Sequence, residues 1–389
     1  MANLAGLSTG SNLLSGSSVK APRGLVLVDG VIAVGVVSID VENNSHQQAD
    51  TFNVELSMAA QVEPHDLRWW SGQKSLPVEI YVGYPSNPLA YGKDDLTLLI
   101  TGKADEIEFD FLAQTMRISG RDLTSRLVDN KRSLSFITLP IEPSNVVSQI
   151  AVSVGLVPHV VATGISVGAY TQIVQSLIDS KSTLWDVVCK LAQVVDYRVY
   201  VRGNGLYFEP KALETDNPYL LTWQAGTAGF ASPSFNGISL KFSLNTQAAR
   251  DIHVTVLSPS VKGKHVVEAS SQKTRKGAKA KDEAAADGSG SAEPPLEYRY
   301  FSKSGLTQQE VQVRAEARAK QLAQHEMNMS CELPGDPELT TERMVQVSGT
   351  NTAYDQFYYP ATISHSLSQD GGYKMSVSAK NISPDVEFS

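Results

Sequence analysis

The sequence predicts an α+β, β-rich multidomain protein, in which two antiparallel β regions flank an inserted small α/β domain. Two changes of period carry that prediction. From Leu25 to Ser119 apolar residues alternate with polar ones, as in strands with one face in a core. From about Asn130 to Pro210 the spacing turns helical, and alternation returns after Thr222 and again toward the C-terminal end. The totals agree: 389 residues suffice for roughly two to four domains, and 42% hydrophobic residues can fill their cores.

The elements follow in order. Residues 1–23, rich in Ser and Gly at the start, read as a flexible arm without the basic and apolar regions of a signal peptide. Residues 24–124 form the first β region, in which Ile39 and Val41, then Phe52, Val54 and Leu56, then Val78, Ile80 and Val82 share inward faces. Turn clusters such as YPSNP and YGKDD separate its strands. The α/β domain is expected at 125–221 together with 296–332. One helix presents Val146, Val147, Ile150, Ala151 and Val154 and stops at Gly155. A second presents Leu184, Val188, Leu191, Ala192 and Val195, with Thr183 and Asp186 as a capping pair. A hairpin turning at GNG closes the block.

The second β region is expected to be discontinuous, 222–260 plus 333–389. Residues 261–295, with almost no apolar anchor after Val267, read as a disordered loop. A third helix follows, with Thr307 and Glu310 as a capping box and Val311, Ala315, Arg318, Ala319 and Leu322 along one face.

Charge and composition exclude several function classes. A formal net charge of −8 argues against a whole-surface nucleic-acid binder. No stretch reaches about 18 apolar residues, so no transmembrane helix is expected. Cys189 and Cys331 lack metal or disulfide spacing and fit synthesis in a reducing compartment. Charged residues are only 19%, below the usual share of about 25%, which suits a surface partly covered by partners.

The candidate motifs are weak as chemistry. GISVG matches a nucleophile elbow around Ser166, but no oxyanion segment precedes it. HEMNM begins like a zinc helix at His325, yet Met329 stands where the second ligand belongs. The lysines and arginines of the 261–295 stretch are followed by acids and lack interleaved aromatics, so they read as a solvated loop. No catalytic, cofactor-binding or metal residues are therefore expected. Trp69 and Trp70 are candidate interface anchors or a core pair. In ISGRDLTSRLVDN, Gly120 permits a sharp turn, Asp122 can cap the next segment, and Arg121 can bond groups across a junction.

GRDLTSRLVDN resembles the junction in tail hub proteins of long-tailed and contractile-tailed bacteriophages, the late control protein D group. VDGVIAVGVVSIDVENNSHQQADTFNVELS is similar to that group's opening strands, STLWDVVCKLAQVVDYRVYVRGNGLYFEP to its helix–hairpin block, and the helix and strands from Leu306 to Ser378 to its closing region. The resemblance spans about residues 24–385 except the loop. It implies two tail-tube-like β-barrels per chain, leaving the first at Gly120–Arg121–Asp122, and a non-enzymatic homotrimer with pseudo-sixfold symmetry. Such a hub adapts a hexameric tail tube or distal tail protein to a trimeric central spike and lines a channel for phage DNA. It works in the virion after assembly in the host cytoplasm, without membrane insertion or cofactor. The rival expectations are another tail or secretion component, distal-tail or adhesin-like, and a serine hydrolase using Ser166.

Overall fold

A computed structural model of the chain describes residues 21–45, 48–131, 142–164, 182–195, 197–210, 217–226, 232–245, 252–259, 266–275, 296–302, 308–323, 327–381 and 386–388. Most of the N-terminal arm, Ser166, Thr307 and His325 lie outside the described residues, as does the side chain of Glu310.

The first β unit contains β1 (Arg23–Val28), β2 (Val31–Ile32), β3 (Val36–Asn44), β4 (Thr51–Ser57), β5 (Pro77–Gly83), β6 (Thr97–Asp110) and β7 (Thr115–Asp122), with the short helix α1 (Leu67–Ser71) between β4 and β5. Its ladder runs β3-β4-β7-β6-β5-β1-β2. The predicted alternation holds, since Val54, Ile80 and Ile118 are fully buried while their strand neighbours face outward. One core joins β1 to β3 although they stand far apart in the ladder, so the sheet folds over on itself.

Beyond the short helix α2 (Ser125–Val128), the α/β unit holds α3 (Pro143–Ser153), β8 (Val157–Val160), α4 (Leu184–Val195), β9 (Tyr197–Arg202) and β10 (Gly205–Pro210). Helix α3 ends with Gly155 at φ 75°, a left-handed stop. Helix α4 starts with a reciprocal capping box. The Thr183 hydroxyl accepts from the Asp186 N–H at 3.1 Å, and the Asp186 carboxylate accepts from the Thr183 N–H at 2.9 Å. Both helices cover one face of the sheet β8-β10-β9, over a core that includes Val146, Ile150, Val188, Leu191 and Phe208.

The second β unit contains β11 (Tyr219–Gln224), β12 (Ser234–Phe235), β13 (Ser239–Leu244), then, much later in the chain, β17 (Met327–Pro334), β18 (Val345–Ser348), β19 (Phe357–Ser368) and β20 (Gly372–Asn381). Both β units belong to one fourteen-stranded sheet, because β19 pairs antiparallel with β3 from Thr362↔Asn44 to Ser368↔Ser38.

The intervening chain corrects three boundaries. Strands β14 (Ile252–Pro259), β15 (Val266–Arg275) and β16 (Leu296–Phe301), with β21 (Val386–Phe388), form a separate sheet under α5 (Gln308–Ala323). Residues 252–259 therefore leave the second β region, and 296–323 leave the α/β domain. Strand β17 joins the large sheet. Residues 266–275, expected to be disordered, form a strand because α5 presents small side chains to a strand of small side chains. Val311, Ala315 and Ala319 pack over Val254, Val256 and Ala269. Arg318, expected on the packed face, is exposed and lies over the Tyr300 ring at 5.4 Å.

Candidate assembly edges and the junction beside them

Strand order exposes an internal repeat. In the first unit the sheet runs β3-β4-β7-β6-β5, and in the second β13-β17-β20-β19-β18, with every neighbouring pair antiparallel. Chain order is also shared, each module laying down two strands, then the outer one, then a long hairpin. Even the irregularities coincide. The β6–β7 hairpin is bulged between Ala104 and Glu106, and the β19–β20 hairpin between Pro360 and Thr362. Strands β14 to β16 of the separate sheet, with α5, are inserted in the connection from β13 to β17, where the first module has only residues 45–50, and β21 joins that sheet from beyond β20.

The two modules meet through the β19–β3 seam. His365, Ile363, Val41 and Ile39 are all buried there. The His365 imidazole shares a 2.8 Å hydrogen bond with the Tyr373 hydroxyl, and burial pushes its pKa down to about 4, so it is neutral near pH 7. On the opposite, polar face the Thr362 hydroxyl donates to the Asn44 side-chain oxygen at 3.1 Å. Two edges of the run remain without a strand among the described residues: β13 pairs only with β17, and β6 beyond Ala104 pairs only with β7.

The predicted junction lies at the end of β7. Gly120 does not make a turn, which corrects the expectation. It sits inside the strand at the bulge, where a Cβ would run into the Lys103 carbonyl and the Phe52 ring, so glycine is needed for close approach. Arg121 spans the junction. Its guanidinium donates from Nε and Nη2 to the bulge residue Asp105 at 2.6 and 3.0 Å, and from Nη1 to Asp129 beyond α2 at 3.3 Å. The fork raises the arginine pKa further, chiefly through Asp105. Its partners are exposed, so Arg121→Ala should cost no more than about 1 kcal/mol. A urea midpoint shift equivalent to more than about 2 kcal/mol would contradict this.

Asp122 is buried. Its carboxylate accepts from the Thr124 hydroxyl at 2.7 Å and N–H at 3.2 Å, tying the strand end to the turn two residues on. Its own N–H donates to the Asp50 carbonyl at 2.9 Å. Burial, then the nearby Asp50 charge, pushes the Asp122 carboxyl up to about 8. Burial raises Asp50 to about 6 against bonds from the Asn44 N–H and the Asn43 amide. Asp50 escaped the sequence reading, since an isolated aspartate before a strand gives no sign of the carboxylate it will meet.

The tryptophans separate. Trp70 is 2% exposed and belongs to the first core, which corrects its candidacy as an interface anchor, whereas Trp69 is half-buried beside His65. Asp66 starts α1 by accepting from the Trp69 N–H at 2.8 Å.

No cluster among the described residues assembles chemistry. An open cleft of about 430 Å³ lies between β9–β10 and the turn at 340–343. Its arginines are already engaged, Arg198 with Glu209 at 2.6 Å, Arg202 with Glu342 at 2.8 Å, and Arg343 with the Asn217 carbonyl at 3.0 Å. No group of three His, Cys, Asp or Glu residues among those described could hold a metal. Cys189 and Cys331 are buried thiols, each pushed up to about 12. No described helix is long and apolar enough to cross a membrane.

No protein-family model matches the sequence, and comparison with curated proteins gives no match. Solved structures match along nearly the whole chain. A tail protein from Neisseria meningitidis MC58 superposes with TM-score 0.65 at 12% identity, covering 93% of this chain and 97% of that one. The 43 kDa tail protein of prophage MuSo2 from Shewanella oneidensis gives 0.64 at 14%, covering 94% and 100%. A Francisella PdpA–VgrG complex gives 0.53 at 7%, covering 93% of this chain and 59% of that one. The chain therefore has the fold of these phage tail proteins, shared with a chain of the PdpA–VgrG complex. Its β-rich, multidomain α+β class is that of the sequence expectation.

Proposed function

We propose that this chain is the structural hub of a phage tail baseplate and carries out no bond chemistry. Three copies close into a pseudo-sixfold ring that joins a hexameric tail tube, or a distal tail protein, to a trimeric central spike. The internal repeat carries the reading: two β modules of one topology, set side by side in one sheet, make three chains present six similar units. The likeness in fold to phage tail proteins supports it.

In this ring the polar face of the module sheet lines a channel for DNA. On the first module Asp40, Glu42, Glu55, Glu79, Glu106, Glu108 and Asp110 outnumber Lys103, Arg117 and Arg121 on that face. The second module carries Lys241, Lys374 and Lys380 against Glu332, spaced by serines such as Ser243, Ser330, Ser364 and Ser378. A wall on which carboxylates outnumber cations, with small hydroxyls between them, holds phosphates weakly, so DNA slides instead of adhering. Trp69 remains a candidate anchor toward a partner at the rim.

Sedimentation of the purified chain over rising concentration, with class-averaged images of the particles, tests the proposal. The expected result is a ring of three chains with a six-lobed outline. Twofold dimers, or monomers at the highest soluble concentration, overturn it.

A further inference from the structure

The β19–β3 seam contains a template for how one copy meets the next, and this inference rests on the hub reading above. Matching bulges place Asp105 where the second module has Ala361, and Ile118 where it has Val377. The next ladder fixes Val54 opposite Ile118 and Cys331 opposite Val377. The outer ladder fixes Ile39 opposite Val54 and Leu240 opposite Cys331. Thus β3 corresponds to β13 and β6 to β19, residue by residue.

The bulge in β19 is the point where that strand leaves β18 and begins to pair with β3. The corresponding bulge in β6 is where it leaves β5, and beyond it no described strand takes over. The open half of β6 and the open edge of β13 are thus the two halves of a second β19–β3 seam, at opposite ends of one chain.

We infer that residues 106–110 of one copy pair antiparallel with residues 241–245 of the next, in the register Glu106↔Asn245, Ile107↔Leu244, Glu108↔Ser243, Phe109↔Phe242 and Asp110↔Lys241. Burial supports it. Ile363, His365, Ile39 and Val41 are buried in the intrachain seam, while their counterparts Ile107, Phe109, Leu240 and Phe242 are only half-buried at the open edges. Apolar surface continues along the same lines. Leu244 is 41% exposed, and Phe111 and Leu112 at the β6–β7 tip extend toward the positions of Leu240 and of Ile238, itself 54% exposed. Charge fits as well, since the register sets the exposed Asp110 against the exposed Lys241, where the intrachain seam has Ser366 against Asp40. Unsatisfied strand edges with half-covered apolar residues call for a strand partner, and a head-to-tail contact between different edges generates a ring when its rotation closes, as it does in the threefold hub.

Cysteine trapping tests the register, because directly opposed strand residues lie within disulfide reach and pairs two residues out of step do not. D110C and K241C chains, mixed and oxidised, should give a covalent dimer, and neither should do so alone. The double variant D110C/K241C should run as a covalent ring on a non-reducing gel, whereas D110C/S243C should not. Charge exchange supplies a second reading. D110K and K241D should each weaken assembly roughly fivefold, and D110K/K241D should restore it.

Bridging by D110C/S243C instead, or D110C chains bridging to one another, overturns the register. Rings of unmodified protein with no bridging by D110C/K241C overturn the register and leave the hub reading standing. Absence of any ring overturns both.

Discussion

Replacing Trp70 by alanine is expected to destabilise the first β unit by about 3–5 kcal/mol, the largest effect of any single truncation considered for this chain. The indole is 2% exposed and meets Trp69 edge-on, with ring centroids 5.0 Å apart and an interplanar angle of 86°. It is also the end of a buried polar chain. Its Nε1–H donates to Gln61 Oε1 at 3.1 Å, and the Gln61 amide nitrogen donates to the carbonyls of Val34 and Ser57, each at 3.0 Å. Alanine therefore leaves a cavity and also a buried acceptor with no donor. Trp70→Phe keeps much of the packing and loses the donor with part of the ring, so it should cost about 1–3 kcal/mol. Urea unfolding read by amide exchange in β3, β4 and β5 measures both; an alanine variant within about 1 kcal/mol of the parent contradicts this account.

Asp122→Asn should change how stability depends on pH. Unfolded aspartate titrates near 4, whereas burial and Asp50 hold the folded Asp122 carboxyl at about 8. Between those values the folded chain keeps a proton that the unfolded chain has lost. The contribution of this group is therefore most favourable below about pH 4. It declines as pH rises toward 8, by on the order of a few kcal/mol, and is level above that. Asp50, raised to about 6, adds in the same direction over the lower part of the window. Asparagine retains an oxygen for the Thr124 N–H and removes the ionisation. The variant should be more stable than the parent at pH 8, with a flatter profile from pH 4 to 8 in urea titrations. An unchanged slope would place the titrating group elsewhere.

Much of the fold was legible because burial follows period. Val54, Leu56 and Ile80 were assigned inward by alternation alone, and Gly155 and the Thr183–Asp186 pair marked the ends of real helices. Strand β15 was not legible, since its buried positions are Ala269 and Ser271 and nothing hydrophobic recurs. What orders it is a helix of complementary small residues far along the chain. Gly120 is ambiguous in the sequence for a similar reason. A glycine that admits a neighbouring backbone resembles one that turns until its partner, Lys103, is known.

The assembly edges were hidden more deeply. Equivalent positions hold Ile39 and Leu240, Val41 and Phe242, or His365 and Phe109, sharing inward direction and little chemistry. Only pairing reveals the repeat. The junction fared better, because Arg121 and Asp122 stood out as adjacent charges closing an apolar run. Asp50 and Asp105, which complete their surroundings, are distant in sequence and became visible only through the ladder.

Strands β14 to β16 and their covering helix leave the large sheet after β13 and return at β17, two adjacent antiparallel strands, and β21 joins them from beyond β20. All three strands from which the chain enters or leaves this unit, β13, β17 and β20, are neighbours in the same ladder, and neither modular ladder is interrupted by it. Such a unit behaves as an appendage on a fixed frame. Its sequence is free to diverge, lengthen or acquire a new attachment while the geometry of the large sheet stays the same.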